Sequence, residues 1–267
     1  MVNLFMNSNK QKYTIEDFLE IMKKLRAPDG CPWDKEQTHS SIRNNFLEET
    51  YEVVDAIDRN DSADMCEELG DVLMQVVFHA VMAEEENRFN FSDVVDNVAK
   101  KLVYRHPHVF GDVVAETSEK VLDNWDKLKR VEKSQKTYSD TLKSVPSAFP
   151  ALLRAQKVQK RASKAGYDFT DALDAFKKIE EESAELKSEL SLGDKQKLTE
   201  EIGDLLFSVV NFGRLLSIDC EEALSRSTVK FTERFEKAEN KIIADGYDIN
   251  ELSADKLDEY WIKAKND

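Results

Sequence analysis

One spacing recurs through this chain and limits its fold more than any other feature. Glu48-Glu49-Thr50-Tyr51-Glu52, followed by Glu67-Glu68-Leu69-Gly70-Asp71, returns as Glu181-Glu182-Ser183-Ala184-Glu185, followed by Glu200-Glu201-Ile202-Gly203-Asp204. The displacement is 133 residues at each position, from 48 to 181 and from 71 to 204, and Val76-Val77 and Val209-Val210 keep it. Six acids and a glycine would seldom align by chance, even in a chain with 53 Asp and Glu among 267 residues. With small shifts the repeat continues. Lys101 and Arg105 match Lys230 and Arg234, Trp125-Asp126-Lys127-Leu128-Lys129 matches Trp261-Ile262-Lys263-Ala264-Lys265, and Trp33-Asp34 has a counterpart in Tyr167-Asp168. Self-similarity of this extent is the mark of a duplicated structural unit.

Apolar positions within each copy recur at helical spacing: Ile15–Leu25, Phe46–Ile57, Leu69–Met82 and Val94–Val103, then Phe176–Leu190, Ile202–Leu216 and Ala223–Ile243. Arg59-Asn60-Asp61-Ser62 and Ser191-Leu192-Gly193-Asp194 read as turns between helices. No window alternates apolar and polar residues strictly, and 8 Gly with 5 Pro are too few for a loop-rich β sandwich or a Rossmann-type phosphate loop. The expected fold is therefore all-α, a tandem duplication of a helical-bundle unit. Tyr138–Pro150, with two prolines and a Ser/Thr cluster, reads as a linker. It divides the chain into an N-terminal domain (1–137), a linker (138–150) and a C-terminal domain (151–267).

The formal net charge of −15 argues against a nucleic-acid coat, which needs a surplus of Lys and Arg to neutralise phosphates. Three cysteines without a CxxC pair give no disulfide framework, so a reducing cytoplasm is expected. The opening MVNLFMNSNKQKY has no long apolar run, and nowhere do about 18 apolar residues follow one another, so neither a signal nor a membrane span is expected.

Glu49 and Glu52 lie three apart on one helix face, and Glu68 and Asp71 do the same on the next helix. A short turn makes those helices antiparallel neighbours, so four carboxylates can converge. Such a cluster is destabilising unless a cation offsets the like charges. Glu182, Glu185, Glu201 and Asp204 repeat the arrangement. An oxygen-only ligand set suits Mg²⁺, with Mn²⁺ as a substitute, whereas zinc and ferritin-like di-iron sites favour Cys or His. Neither copy contains ExxH, and the four histidines lie outside these motifs. A lone ExxE is usually a solvated helix face; ExxE followed by ExxD at identical spacing twice is not.

The EExxE…ExxD arrangement resembles the MazG family of nucleoside triphosphate pyrophosphohydrolases. The resemblance spans nearly the whole chain, including Gly30-Cys31-Pro32-Trp33-Asp34-Lys35-Glu36-Gln37-Thr38, Arg105-His106-Pro107-His108-Val109-Phe110, Gln156-Lys157-Val158-Gln159-Lys160-Arg161 and Glu201-Ile202-Gly203-Asp204-Leu205-Leu206-Phe207. It implies an all-α, homodimeric, Mg²⁺-dependent enzyme that converts an NTP to an NMP and pyrophosphate. It also implies broad base tolerance, a housecleaning role in the nucleotide pool and a link to nutritional stress.

The second copy is the expected main catalyst, with Glu182, Glu185, Glu201 and Asp204 as metal ligands and catalytic residues; Glu49, Glu52, Glu68 and Asp71 form a less certain second site. Lys178 and Lys197 stand four residues before Glu182 and Glu201, where the first copy has Asn45 and Asp64. Lys178, Glu181, Glu182, Lys197, Glu200 and Asp204 are the candidate nucleotide contacts near the metal, and Glu181 is a weak candidate to accept a proton. Lys230 and Arg234, one turn apart, are candidates for phosphate oxygens. Trp261 by itself suits either base stacking or helix packing, and the resemblance implies that it contacts the nucleotide. Two other readings stay open: a narrow dUTP- or dCTP-type pyrophosphatase, and a non-catalytic helical assembly module.

Overall fold

A computed structural model describes residues 12–114 and 117–266, so the opening Met1–Gln11 lies outside the described residues. The chain forms two compact units, Met1–Lys129 and Arg130–Asp267, and every regular element among the described residues is a helix. The first unit contains α1 (Ile15–Arg26), α2 (Pro32–Glu36), α3 (Arg43–Asp58), α4 (Ser62–Glu85), α5 (Phe91–Arg105), α6 (Pro107–Phe110) and most of α7 (Ser118–Glu132). The second contains α8 (Tyr138–Lys143), α9 (Ala151–Ser163), α10 (Ala172–Leu192), α11 (Lys195–Leu215), α12 (Cys220–Ala244), a 3₁₀ turn (Ile249–Glu251) and α13 (Ala254–Lys265). All seven periodic segments fall on helices. The stretch read as a linker differs: it holds α8, which is capped by Thr137 and packs on α9, and the compact units divide at Lys129/Arg130.

Two hairpins, α3–α4 and α10–α11, carry the acidic repeat, and their turns are built alike. Asn60 (φ 54°) and Gly193 (φ 73°) both adopt the left-handed conformation that reverses the chain. The next residue caps the following helix: Asp61 accepts from the N–H groups of Ala63 and Asp64, and Asp194 from those of Gln196 and Lys197. A carboxylate in this position satisfies two orphan donors and is worth about 0.5–2 kcal/mol over alanine. The tight turn fixes the axial register of each hairpin, and that register brings the acids of its two helices level.

The first unit's core gathers Met22, Ile42, Val77, Phe78, Val81 and Met82, with Phe18, Leu19, Leu25, Met74 and Phe91 packed against it. In the second unit Ala238, Ile242, Tyr260 and Ala264 pack between α12 and α13. The buried Tyr260 hydroxyl donates to Asp245 Oδ2 at 2.6 Å, and its pKa is pushed up to about 12 by that hydrogen bond and by burial. A side chain at Gly70 or Gly203 would meet nothing within 4 Å, so close packing inside the chain is not what places glycine there. No helix among the described residues is long and apolar enough to cross a membrane.

Candidate functional site

Each hairpin converts the acidic repeat into a cluster. One carboxylate oxygen from each of Glu49, Glu68 and Asp71 lies within 4.8 Å of the others, and Glu182, Glu201 and Asp204 do the same. Both triads take one ligand from the first helix and two from the second. Glu52 and Glu185 stand outside these triads but act on them electrostatically. Burial first, then the charges of Asp71 and Glu52, holds Glu49 above the usual carboxylate range. Burial and then Glu52 does so for Glu68, and burial followed by Glu185, Glu182 and Asp204 for Glu201. Glu68 Oε2 and Glu201 Oε2, equivalent atoms of the two copies, are both buried without a hydrogen-bond partner. Converging, oxygen-only donors with an unsatisfied buried oxygen in each set fit a divalent cation of the Mg²⁺ type.

The surroundings of the two triads differ. In the second, Lys178 Nζ reaches the buried Glu182 at 2.6 Å and Glu181 at 2.8 Å, and these bonds raise its own pKa. Glu181 is thereby paired with a lysine. Lys197 does not approach Glu201; its nearest acid is Glu189, at 3.8 Å. Glu189 is a participant that the repeat does not reveal, because its counterpart, 133 residues earlier, is the fully buried Ala56. Its Oε2 is buried and unpartnered, and its charge contributes to raising the pKa of Glu201. Its spacing of four after Glu185 was the available signal. In the first copy, Asp64 is paired with Arg59.

A cavity of about 720 Å³ opens onto the second triad, and Lys178, Glu182 and Asp204 line it together with Gln159, Tyr167, Phe169, Phe207, Asn211 and Arg214. Arg214 is held by Asp168 and donates from Nε to Asn211 Oδ1 at 2.8 Å. Ser208, Asn211 and Arg214 recur at three-residue spacing along α11, a polar stripe inside an apolar segment and the sequence signal for this cavity. The equivalent positions in α4 are Gln75, Phe78 and Val81, all buried; Phe78 and Val81 belong to the first unit's core. Arg26 lies 5.3 Å over the Phe78 ring and pairs with Glu85. The first triad thus sits against packed side chains where the second faces open space.

Other sequence candidates are placed elsewhere. Arg234 stacks on Trp261 (5.2 Å), which also contacts Phe231 (5.0 Å). Lys230 on the same helix, Arg234 and Trp261 do not line the cavity at the triad. The first copy repeats the stack, with Arg105 5.2 Å over Trp125. Glu200 is exposed on α11 and accepts from Gln196 at 3.3 Å. His106 packs edge-on against Trp125 at 4.8 Å, a structural role.

The MazG nucleotide pyrophosphohydrolase domain matches residues 37–110 and 171–238, one stretch around each triad. The chain belongs to the MazG family. It is 46% identical over 250 residues to the nucleoside triphosphate pyrophosphohydrolase/pyrophosphatase MazG of Thermotoga maritima, covering 94% of this chain and 95% of that protein. It is 45% identical over 254 residues to the nucleoside triphosphate pyrophosphohydrolase of Escherichia coli K12, covering 94% and 97%. An uncharacterized protein of Bacillus subtilis, YabN, is 43% identical over 249 residues, which are 93% of this chain and 51% of that protein. The second MazG domain match takes in the triad, Lys230 and Arg234; Gln159, Tyr167–Phe169 and Trp261 fall outside it.

Proposed function

We propose that this MazG chain is a nucleoside triphosphate pyrophosphohydrolase that converts an NTP to an NMP and pyrophosphate at the Glu182/Glu201/Asp204 triad. The names carried by the T. maritima and E. coli relatives support the activity. The observation that carries the location is the cavity, which is of small-molecule size and opens onto this triad, while the equivalent side chains of the other copy are core.

Glu182, Glu185, Glu201 and Asp204 would hold Mg²⁺, or Mn²⁺ in its place. Bound there, the cation would offset phosphate charge and lower the pKa of an attacking water. The chain's own residues do the rest. Lys178 pairs with Glu182 and holds a positive charge beside the phosphates, where attraction at about 4 Å is worth a few kcal/mol at an effective dielectric near 20. Glu181 pairs with Lys178 and Lys197 with Glu189, while Glu200 is exposed on α11; none of the three lines the cavity. The chain acts as a homodimer: α10 and α11 leave Leu173, Phe176, Ile202, Leu206 and Val209 exposed, an apolar face a second copy can cover. Lys230 and Arg234 are candidates for phosphate oxygens, Arg234 being stacked on Trp261. Broad base tolerance, a housecleaning role with a link to nutritional stress, and a cytoplasmic location complete the proposal.

Pyrophosphate release from the common and deaminated NTPs, with Mg²⁺ and with EDTA, tests it. Metal-dependent release from several bases is expected. Release from dUTP or dCTP alone would mark a narrow enzyme, and no release from any would leave a helical assembly module.

A further inference from the structure

Charge is spread unevenly along the chain. Residues 130–167 hold 9 Lys and Arg against 2 acids, Glu132 and Asp140, a net of +7. Residues 168–267 hold 14 against 25, a net of −11, and residues 1–129 hold 15 against 26, also −11. The total of −15 therefore conceals a basic band between two equally acidic stretches.

Within the second unit this band borders the cavity. No acid occurs from Ala151 to Tyr167. Arg154, Lys157 and Lys160 recur every three residues on α9; all three are exposed and form no salt bridge among the described residues. Arg154, Val158 and Ala162 stand four apart, on one face of the helix, and the last two line the cavity. A step of four along a helix is about 6 Å, which is inside the roughly 8 Å over which a surface charge acts at physiological ionic strength. On α8, Leu142 lines the same cavity and the exposed Lys143 follows it.

A nucleoside triphosphate is an anion even with Mg²⁺ bound, and a protein of net −15 repels it. The wall on α10 and α11 adds Glu182 and Asp204 to that repulsion. Cations clustered at a cleft reverse the sign of the potential locally and raise the association rate of a charged substrate. Arg154, Lys157 and Lys160 do not themselves line the cavity, so they act on the approach and not on the bound molecule.

We propose that these three exposed cations of α9 steer the anionic substrate into the cavity of the second triad and set its association rate. The inference rests on the nucleotide reading above.

Stopped-flow binding of a fluorescent α,β-methylene ATP, which resists cleavage between the α and β phosphates, to the full chain with Mg²⁺ tests it. The wild-type association rate should fall as ionic strength rises, although the protein and its ligand are both anionic. Arg154→Gln/Lys157→Gln/Lys160→Gln should slow association about 10-fold at low salt, and Glu at the same three positions about 100-fold. Near 1 M salt, where screening acts within about 3 Å, the three proteins should converge. Dissociation, and pyrophosphate release at saturating ATP, should stay at wild-type values in both variants. Lys187→Gln/Lys195→Gln/Lys237→Gln, exposed positions elsewhere in the second unit, removes the same charge and should leave association within about twofold of wild type. A wild-type rate that is flat or rises with salt would overturn the proposal without any variant. So would equal slowing in the Lys187/Lys195/Lys237 variant, which would make net charge the cause, or an effect on dissociation alone. Wild type that shows the salt dependence yet releases no pyrophosphate from ATP would sink the hydrolase reading and leave the steering standing.

Discussion

Glu49, Glu68 and Asp71 in the first unit and Glu182, Glu201 and Asp204 in the second form the same triad on the same hairpin. Position by position, the residues around them diverge: Asn45 against Lys178, Ala56 against Glu189, Phe78 against Asn211, His79 against Phe212 and Val81 against Arg214. At Ala56/Glu189, Phe78/Asn211 and Val81/Arg214 the second copy has polar groups where the first has apolar ones, and Asn211 and Arg214 line an open cavity. The first has kept the acids and filled the space. Duplication preserved the acid cluster and changed the side chains around it, so the acid motifs alone do not distinguish the copies. The difference lies one and two helical turns beyond them.

The largest expected effect exploits that swap. Phe78→Ala removes a buried ring from the first unit's core and should cost about 3–5 kcal/mol of stability, leaving pyrophosphate release by the folded protein unchanged. Asn211→Ala, at the equivalent place, should change the melting temperature little and reduce release. Chemical denaturation read alongside activity checks both; a stability loss at Asn211 matching that at Phe78 would erase the contrast.

Cation binding comes next. A cation that binds only the folded state, at a hundredfold excess over Kd, adds about 2.7 kcal/mol. Melting with millimolar Mg²⁺ should therefore occur several degrees above melting with EDTA. Asp71→Asn and Asp204→Asn should each remove part of that gap if both triads bind. Identical melts at matched ionic strength would remove the metal reading from both.

How much of this was legible beforehand divides along the same line. The hairpins and the acid clusters follow from local rules of helix periodicity, turn chemistry and carboxylate spacing; the spacing put four carboxylates in each cluster, whereas three converge and Glu52 and Glu185 stand outside. Helices α9 and α13 lay outside the periodic segments, and the 138–150 stretch reads as a linker because its prolines outweigh the short helix between Thr137 and Ser144. Glu189, Gln159 and the Asp168–Arg214 pair were not found. Their roles depend on contacts between helices distant in the chain, as between Gln159 and Phe207, which no local pattern encodes. Lys197 was misplaced for the opposite reason: helical spacing put it a turn from Glu201, while the long side chain turned to Glu189.

The smallest expected effect is acid sensitivity confined to the first unit. His39 Nδ1 and His79 Nδ1 lie 2.7 Å apart, and Arg88 contacts His39 Nε2. Arg88 can only donate, so both rings are neutral: His39 carries its proton on Nδ1 and gives it to His79. Burial, then His39, lowers the pKa of His79 below its ordinary 6.5. The neutral form is therefore favoured in the fold. Its contribution is complete above about pH 6.5 and is lost as pH falls through the lowered value. His79→Phe, copying Phe212 of the other unit, should flatten the stability profile of the first unit between pH 7 and 5. An unchanged slope would show that the acid response arises elsewhere.

The central claim is that one triad of the two carries the chemistry, and pyrophosphate release by Asp204→Asn beside Asp71→Asn, under saturating Mg²⁺, tests it most directly. Near-complete loss is predicted for Asp204→Asn alone, with Asp71→Asn close to wild type. Equal losses, or a larger loss for Asp71→Asn, would contradict it.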